Sequence, residues 1–155
     1  MEPRRNDLAF LLDVLARLHR AEAPCLVFGG WAEELLGMGL PRSHADVDLL
    51  LPAADFTAAE RFIAKEAASE VRGKRFAHKR AFLLDGVLVE LVLVEPGEHG
   101  LVTRFWGDRE LWWHKPLAEP NASPALISRL NLDLYRCRYQ SLDPGRWRDP
   151  ASRVA

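Results

Sequence analysis

Apolar positions along the chain fall into two alternating rhythms. Leu8, Leu11, Leu12, Leu15 and Leu18 recur at helical spacing, with Asp13, Arg17 and Arg20 opposite, which predicts an amphipathic helix capped by Asn6 or Asp7. Cys25 to Phe28 is a short apolar run that stops at Gly29-Gly30 and reads as a buried strand closed by a tight turn. Trp31 to Leu36 favours helix and ends at Gly37. Asp46 to Leu51 predicts a second strand, closed by Pro52. A third helix opens at Asp55 or Thr57 and runs to about Val71, with Phe56, Ala59, Phe62, Ile63 and Ala67 on its apolar side. Arg75 to Leu84 and Val87 to Val94 predict a hairpin about the two-residue turn Asp85-Gly86, with Glu95-Pro96-Gly97 breaking the return strand. Residues 97–120 read as a loop holding Trp106, Trp112 and Trp113. A last helix is expected with Ser123 as cap, Pro124 at its first position, and Leu126, Ile127, Leu130 and Leu134 inward. From Ser141 an irregular tail is expected. The hairpin within this order predicts a mixed sheet covered by helices, an α/β (α+β) fold.

Length narrows the picture to a single domain spanning 1–155, large enough to fold without a disulfide or metal staple. With 21 Lys+Arg against 22 Asp+Glu the net charge is −1, which argues against a dedicated nucleic-acid binder. No apolar run approaches the ~20 residues of a membrane helix. The opening MEPRRNDLAF, with Asp7 and Asp13 interrupting the apolar stretch, holds no secretory core, so a cytoplasmic location is expected. Cys25 and Cys137 lack metal-ligand spacing and read as small buried thiols.

Chemistry concentrates between Gly29 and Leu51. Asp46 and Asp48 alternate with Val47 and Leu49, so the pleat puts both carboxylates on one strand face, with Cα atoms about 6.6 Å apart. Like charges repel there unless a divalent cation lies between them or the strand end is well solvated. In the apolar run GVLVELVLV the one charged residue is Glu90, and a charge on a strand buried on both sides needs a partner or a metal. Three such carboxylates on neighbouring strands would form a hard oxygen site for Mg²⁺ or Mn²⁺. Gly29-Gly30 lets backbone approach a phosphate group. Together these parts suit phosphoryl or nucleotidyl transfer.

Gly29-Gly30-Trp31 followed by Arg42-x-His44-x-Asp46-x-Asp48-Leu49 resembles the polymerase-β-type nucleotidyltransferase superfamily, and more narrowly its aminoglycoside and lincosamide branch. The resemblance is strong over about residues 25–52 and weaker through about residue 94. It implies a nucleotidyltransferase fold with a catalytic core at 1–95 and a short, one-helix extension at 96–155. It implies a Mg²⁺-dependent transfer of NMP, AMP from ATP first among nucleotides, to a hydroxyl of a small molecule such as an antibiotic. Asp46, Asp48 and Glu90 would hold the metal, Glu90 would act as general base, and Gly29 and Gly30 would meet the nucleotide phosphates. The family's third acid is usually Asp, whereas Glu stands here.

Arg42 and His44 either contact phosphates or orient the aspartates, and Glu34 either lines the site or faces solvent. Phe76, His78, Arg80 and Phe82 share one strand face, with Arg80 either at the triphosphate or paired to an acid such as Glu90. The tryptophans of 106–113 either stack on a ring or fill a core or interface, and the resemblance, with apolar residues clustered in 101–113, implies a homodimer. Two further readings stay open: an antitoxin-like nucleotidyltransferase acting on a partner protein, and a catalytically silent nucleotide-binding module.

Overall fold

A computed structural model describes residues 4–66 and 69–155. Among these the chain forms helices α1 (Leu8–Arg20), α2 (Gly29–Leu35), α3 (Thr57–Glu66) and α4 (Arg129–Arg138). The strands are β1 (Leu26–Phe28), β2 (Asp46–Pro52), β3 (Ser69–Glu70), β4 (Lys79–Leu84), β5 (Val87–Gly97), β6 (Gly100–Phe105) and β7 (Arg109–Trp112). The sheet order is β1-β2-β5-β4-β3, and β6 pairs with the far end of β5 and carries β7. Only β2 and β5 run parallel; every other named pair is antiparallel. This is the expected mixed α/β sheet.

Strand alternation divides the sheet into two working faces. Val47, Leu49 and Leu51 stand beside Val89, Leu91 and Leu93. That face packs on α3, where Phe62 meets Phe82 edge-on at 5.8 Å. Helix α1 joins the same layer, Arg17 reaching Glu66 of α3 at 3.0 Å. The other face carries Asp48 opposite Glu90 and Phe28 opposite Asp48. It is covered by α4, whose Tyr135 ring meets Phe28 at 4.7 Å. The carboxylate face therefore looks toward the C-terminal part of the chain.

Several expectations are corrected. α1 is capped by Asp7, whose carboxylate accepts from the Phe10 amide. It buries Phe10, Leu11, Val14 and Leu18, leaving Leu8 and Leu12 half-exposed. Apolar residues cover more than one side of this helix, so spacing alone did not choose the side. α3 ends at Glu66 instead of Val71, because Ser69 and Glu70 pair with β4; Ala67 lies outside the described residues. β4 begins at Lys79, because Phe76 and Lys79 bond to each other in both directions and fold the chain over Ala77 and His78. β5 runs through Pro96, which sits on an edge where β6 joins. Residues 97–120 are not a loop but contain β6 and β7. The last helix starts at Arg129 with Ser128 as cap, because residues 125–127 bond instead to Val27 of β1. Cys25 is buried, but Cys137 is exposed on α4. The tail folds back as well: Trp147 packs edge-on to Phe76 at 5.1 Å, and the Val154 amide donates to the Arg75 carbonyl.

Candidate functional site

The parallel register between β2 and β5 puts Asp48 directly beside Glu90, with Asp46 two residues along the same face. One oxygen from each of Asp46, Asp48 and Glu90 lies within 4.8 Å of the others. They lie in a cleft of about 390 Å³ whose lining also includes Gly29, Gly30, Arg42, His44 and Lys79. Burial, followed by the charges of Asp46 and Glu90, pushes the Asp48 carboxyl up from its ordinary 3.8 to about 8. Negative charge concentrated at Asp48 is what a divalent ion would relieve.

Glu90 behaves in the opposite way. Burial alone would raise its pKa, but Lys79 and Lys74 outweigh that and hold it well below the usual carboxylate range. Lys74 Nζ donates to Oε1 at 2.6 Å, and Lys79 Nζ lies 2.8 Å from Oε2. Neither lysine stood out in the sequence. The signal for Lys79 was the Asp85-Gly86 turn: a two-residue hairpin pairs Leu84 with Val87, which sets Ala81 opposite Glu90 and Lys79 on its face. The same register puts Arg80 opposite Leu91, on the other face.

Arg80 is thus not brought to the carboxylates. It is buried against α3, donating to Glu60 at 2.9 Å and to the carbonyls of Phe76 and Lys79, with its guanidinium over the Phe56 ring. The expected shared face of Phe76, His78, Arg80 and Phe82 is broken by the turn at residues 77–78. His78 is buried among Phe76, Phe105, Trp106 and Trp147, and accepts from the Trp106 amide. Burial, then the neighbouring cations Lys79, Arg146 and Arg80, lowers its pKa to about 3, so it is neutral.

The glycine turn is built around the aspartates. Gly29 has φ +62°, and a Cβ there would run into the Asp48 carboxylate. A Cβ on Gly30 would lie 2.7 Å from the Arg42 guanidinium and 3.2 Å from the His44 ring. His44 stacks on Trp31, with ring centres 4.1 Å apart, and bonds Glu34 at 3.1 Å. Glu34 also accepts from the Arg42 amide, so it organises the loop instead of facing solvent. Asn6, read only as a cap, does more. Its amide donates to the carbonyls of His44 and Asp46, each at 3.0 Å, and accepts from the Trp31 indole.

The remaining wall of the cleft comes from the C-terminal segment: Phe105, Leu132, Tyr135, Arg136, Gln140 and Trp147. Burial, then the charges of Asp48 and Glu90, pushes the Tyr135 phenol up to about 12, so it stays a hydrogen-bond donor. Trp113 is buried, its indole donating to Thr103, and Trp106 packs on Trp147. Trp112 is the exposed member of the group. Val102, Phe105 and Leu111 are buried within this same chain.

No protein-family model matches the chain, and no curated protein matches it in sequence. Solved structures do match. The lincosamide antibiotic adenylyltransferase LnuA, in its lincomycin-bound form, superposes with a TM-score of 0.71 at 12% identity, over 88% of this chain and 89% of that one. The antibiotic-resistance factor ANT(2'')-Ia, in complex with adenylyl-2''-tobramycin, gives 0.54 at 16% identity, over 77% of this chain and 63% of that one. A Thermotoga maritima protein provisionally assigned as a nucleotidyltransferase gives 0.54 at 16% identity, over 84% and 83%. The chain has the nucleotidyltransferase fold.

Proposed function

We propose that this chain transfers the nucleoside monophosphate of a nucleoside triphosphate, AMP from ATP in the first instance, to a hydroxyl of a small molecule in the cytosol. The observation that carries this reading is the convergence of three carboxylates within 4.8 Å at the glycine turn, in a cleft of about 390 Å³. The donors fit Mg²⁺ or Mn²⁺: all are hard oxygens, and burial with the charges of Asp46 and Glu90 burdens Asp48 more than Lys79 relieves it. A divalent ion there would neutralise the triphosphate and align the attacking and leaving oxygens.

The rest falls to the chain's own residues. The missing side chains of Gly29 and Gly30 let Asp48, Arg42 and His44 close in on the turn, which would set these groups beside the phosphates. Arg42 supplies positive charge at the same edge of the cleft, where His44 also lies. The acceptor oxygen bonds to the α-phosphorus, the bond from that phosphorus to the bridging oxygen of pyrophosphate breaks, and the hydroxyl proton passes to the Glu90 carboxylate. Glu90 takes a proton only once the ammonium groups on its oxygens have turned away.

The catalytic groups fall within 1–95, and acceptor choice falls to 96–155, which supplies Phe105, Tyr135 and Trp147. The fold neighbours suggest lincosamides and aminoglycosides as first acceptors to try, and a homodimer is part of the same proposal. Calorimetry with Mg²⁺ and each nucleoside triphosphate tests the core claim, wild type against Asp46→Asn/Asp48→Asn. A wild type that binds no nucleotide refutes it. Binding without label transfer to lincomycin, tobramycin and their relatives sends the search to a partner protein. Glu90→Gln is expected to keep nucleotide binding and to lower turnover about 10²–10⁴-fold.

A further inference from the structure

We propose that Lys79 is a built-in stand-in for the cation: it neutralises Glu90 in the free protein and moves onto the polyphosphate when a divalent ion takes its place. The inference rests on the functional reading above and names a residue that reading does not include.

The two lysines on Glu90 are not equivalent. Lys74 ends a short 3₁₀ turn, and its side chain is 44% exposed, so water can solvate it once Glu90 is taken. The Lys79 side chain is only 13% exposed. Its ammonium sits between Glu90 and the Trp147 ring, 5.0 Å from the ring centre, and it lines the cleft. A buried ammonium that loses its carboxylate is destabilised unless another anion replaces it. Arg146 lies over Trp106, next to Trp147, and offers no negative charge. The anion that arrives together with the ion is the triphosphate, or the pyrophosphate it releases. The Trp147 ring face keeps the ammonium in the cleft while it changes partner.

Binding of Mn²⁺ alone and binding of Mn²⁺-pyrophosphate should therefore respond to Lys79→Met with opposite sign. Calorimetry is expected to show Mn²⁺ affinity rising about threefold or more, because a competing cation is gone. Mn²⁺-pyrophosphate affinity should fall about tenfold or more. Lys74→Met should raise Mn²⁺ affinity with little loss of pyrophosphate. Thermal melts check that each variant folds, and Lys79→Gln provides a polar second variant. Unchanged or weaker Mn²⁺ binding in both Lys79 variants overturns the competition, and unchanged pyrophosphate binding overturns the transfer of partner. A wild type that binds neither Mn²⁺ nor nucleotide overturns the functional reading and this inference with it. If the wild type binds both, a failure in the variants belongs to Lys79 alone.

Discussion

Asp48→Asn should stabilise the metal-free protein while destroying its metal site. Asp48 lies beside Asp46 and Glu90, and its carboxyl is displaced from 3.8 to about 8. Each displaced pH unit corresponds to about 1.4 kcal/mol, so a rigid, dry site would cost the folded state several kcal/mol when Asp48 ionises. The cleft is open to water and Lys79 offsets part of the repulsion, so the recoverable amount is about 1–3 kcal/mol. In a chain of this length that is a rise in Tm of about 3–9 °C. Asn preserves the shape, and its amide can donate to Glu90 as a protonated Asp48 does.

The sign fixes the pH window. A carboxyl whose folded pKa lies above its unfolded one holds its proton more tightly when folded. Its contribution is fully present below pH 4 and is lost as pH rises through 8. The gain from Asp48→Asn should thus be near zero at pH 4.5 and largest at pH 8–9. His78, with its lowered pKa, loses stability toward acid in both proteins and cancels in the difference. Denaturant melts across pH in chelator give the difference curve. Millimolar Mn²⁺ should then raise the wild type at pH 8 and leave the variant unmoved, reversing their order. A variant less stable at pH 8, or a difference that ignores pH, would refute the claim that Asp48 carries uncompensated charge.

Arg80→Met removes bonds to Glu60 and to the carbonyls of Phe76 and Lys79, and should cost about 2–4 kcal/mol in urea melts. Nucleotide affinity should be unchanged; a loss of affinity at constant stability would return Arg80 to the site. Asn6→Ala removes the donor to the His44 and Asp46 carbonyls and strands the Trp31 indole, costing about 1–3 kcal/mol. Since the loop then no longer aims Asp46, Mn²⁺ affinity should fall as well, read by calorimetry on protein shown to be folded. A destabilised Asn6→Ala protein with wild-type Mn²⁺ affinity would confine Asn6 to a structural role.

The carboxylates were legible in the sequence because they violate local rules: two aspartates on a strand face and a lone charge in an apolar run are costly unless used. The glycine turn was legible for a similar reason. The cations were not, because lysine after a turn is ordinary in any sequence. Lys79 became a cleft residue only through the hairpin register, which the turn at Asp85-Gly86 sets. The reading of Arg75 to Leu84 as one strand hid the turn at Ala77 and His78 and drew attention to Arg80. The C-terminal wall was unreadable for a different reason. Trp147 owes its place to Phe76, His78 and Trp106, all distant in sequence, and no local pattern encodes such packing. Likewise, Asn6 fits a helix cap as well as a loop clamp until the loop it clamps is seen.

The net charge of −1 conceals a strongly polarised point in the molecule. Three acids and two ammonium groups meet on a few ångströms of one sheet face, and Glu90 takes most of the compensation, Asp48 little. A sheet selected for stability alone would replace the aspartates with apolar residues, as Val47 and Leu49 already are on the reverse face. The retained imbalance is therefore best explained by something absent from the free chain, and it must be positive, small enough to lie among oxygens within 4.8 Å of one another, and able to displace lysine from Glu90. A monovalent ion supplies too little charge to compete with two ammonium groups already in place. A divalent ion meets all three requirements, and the phosphates that accompany it give Lys79 its next partner.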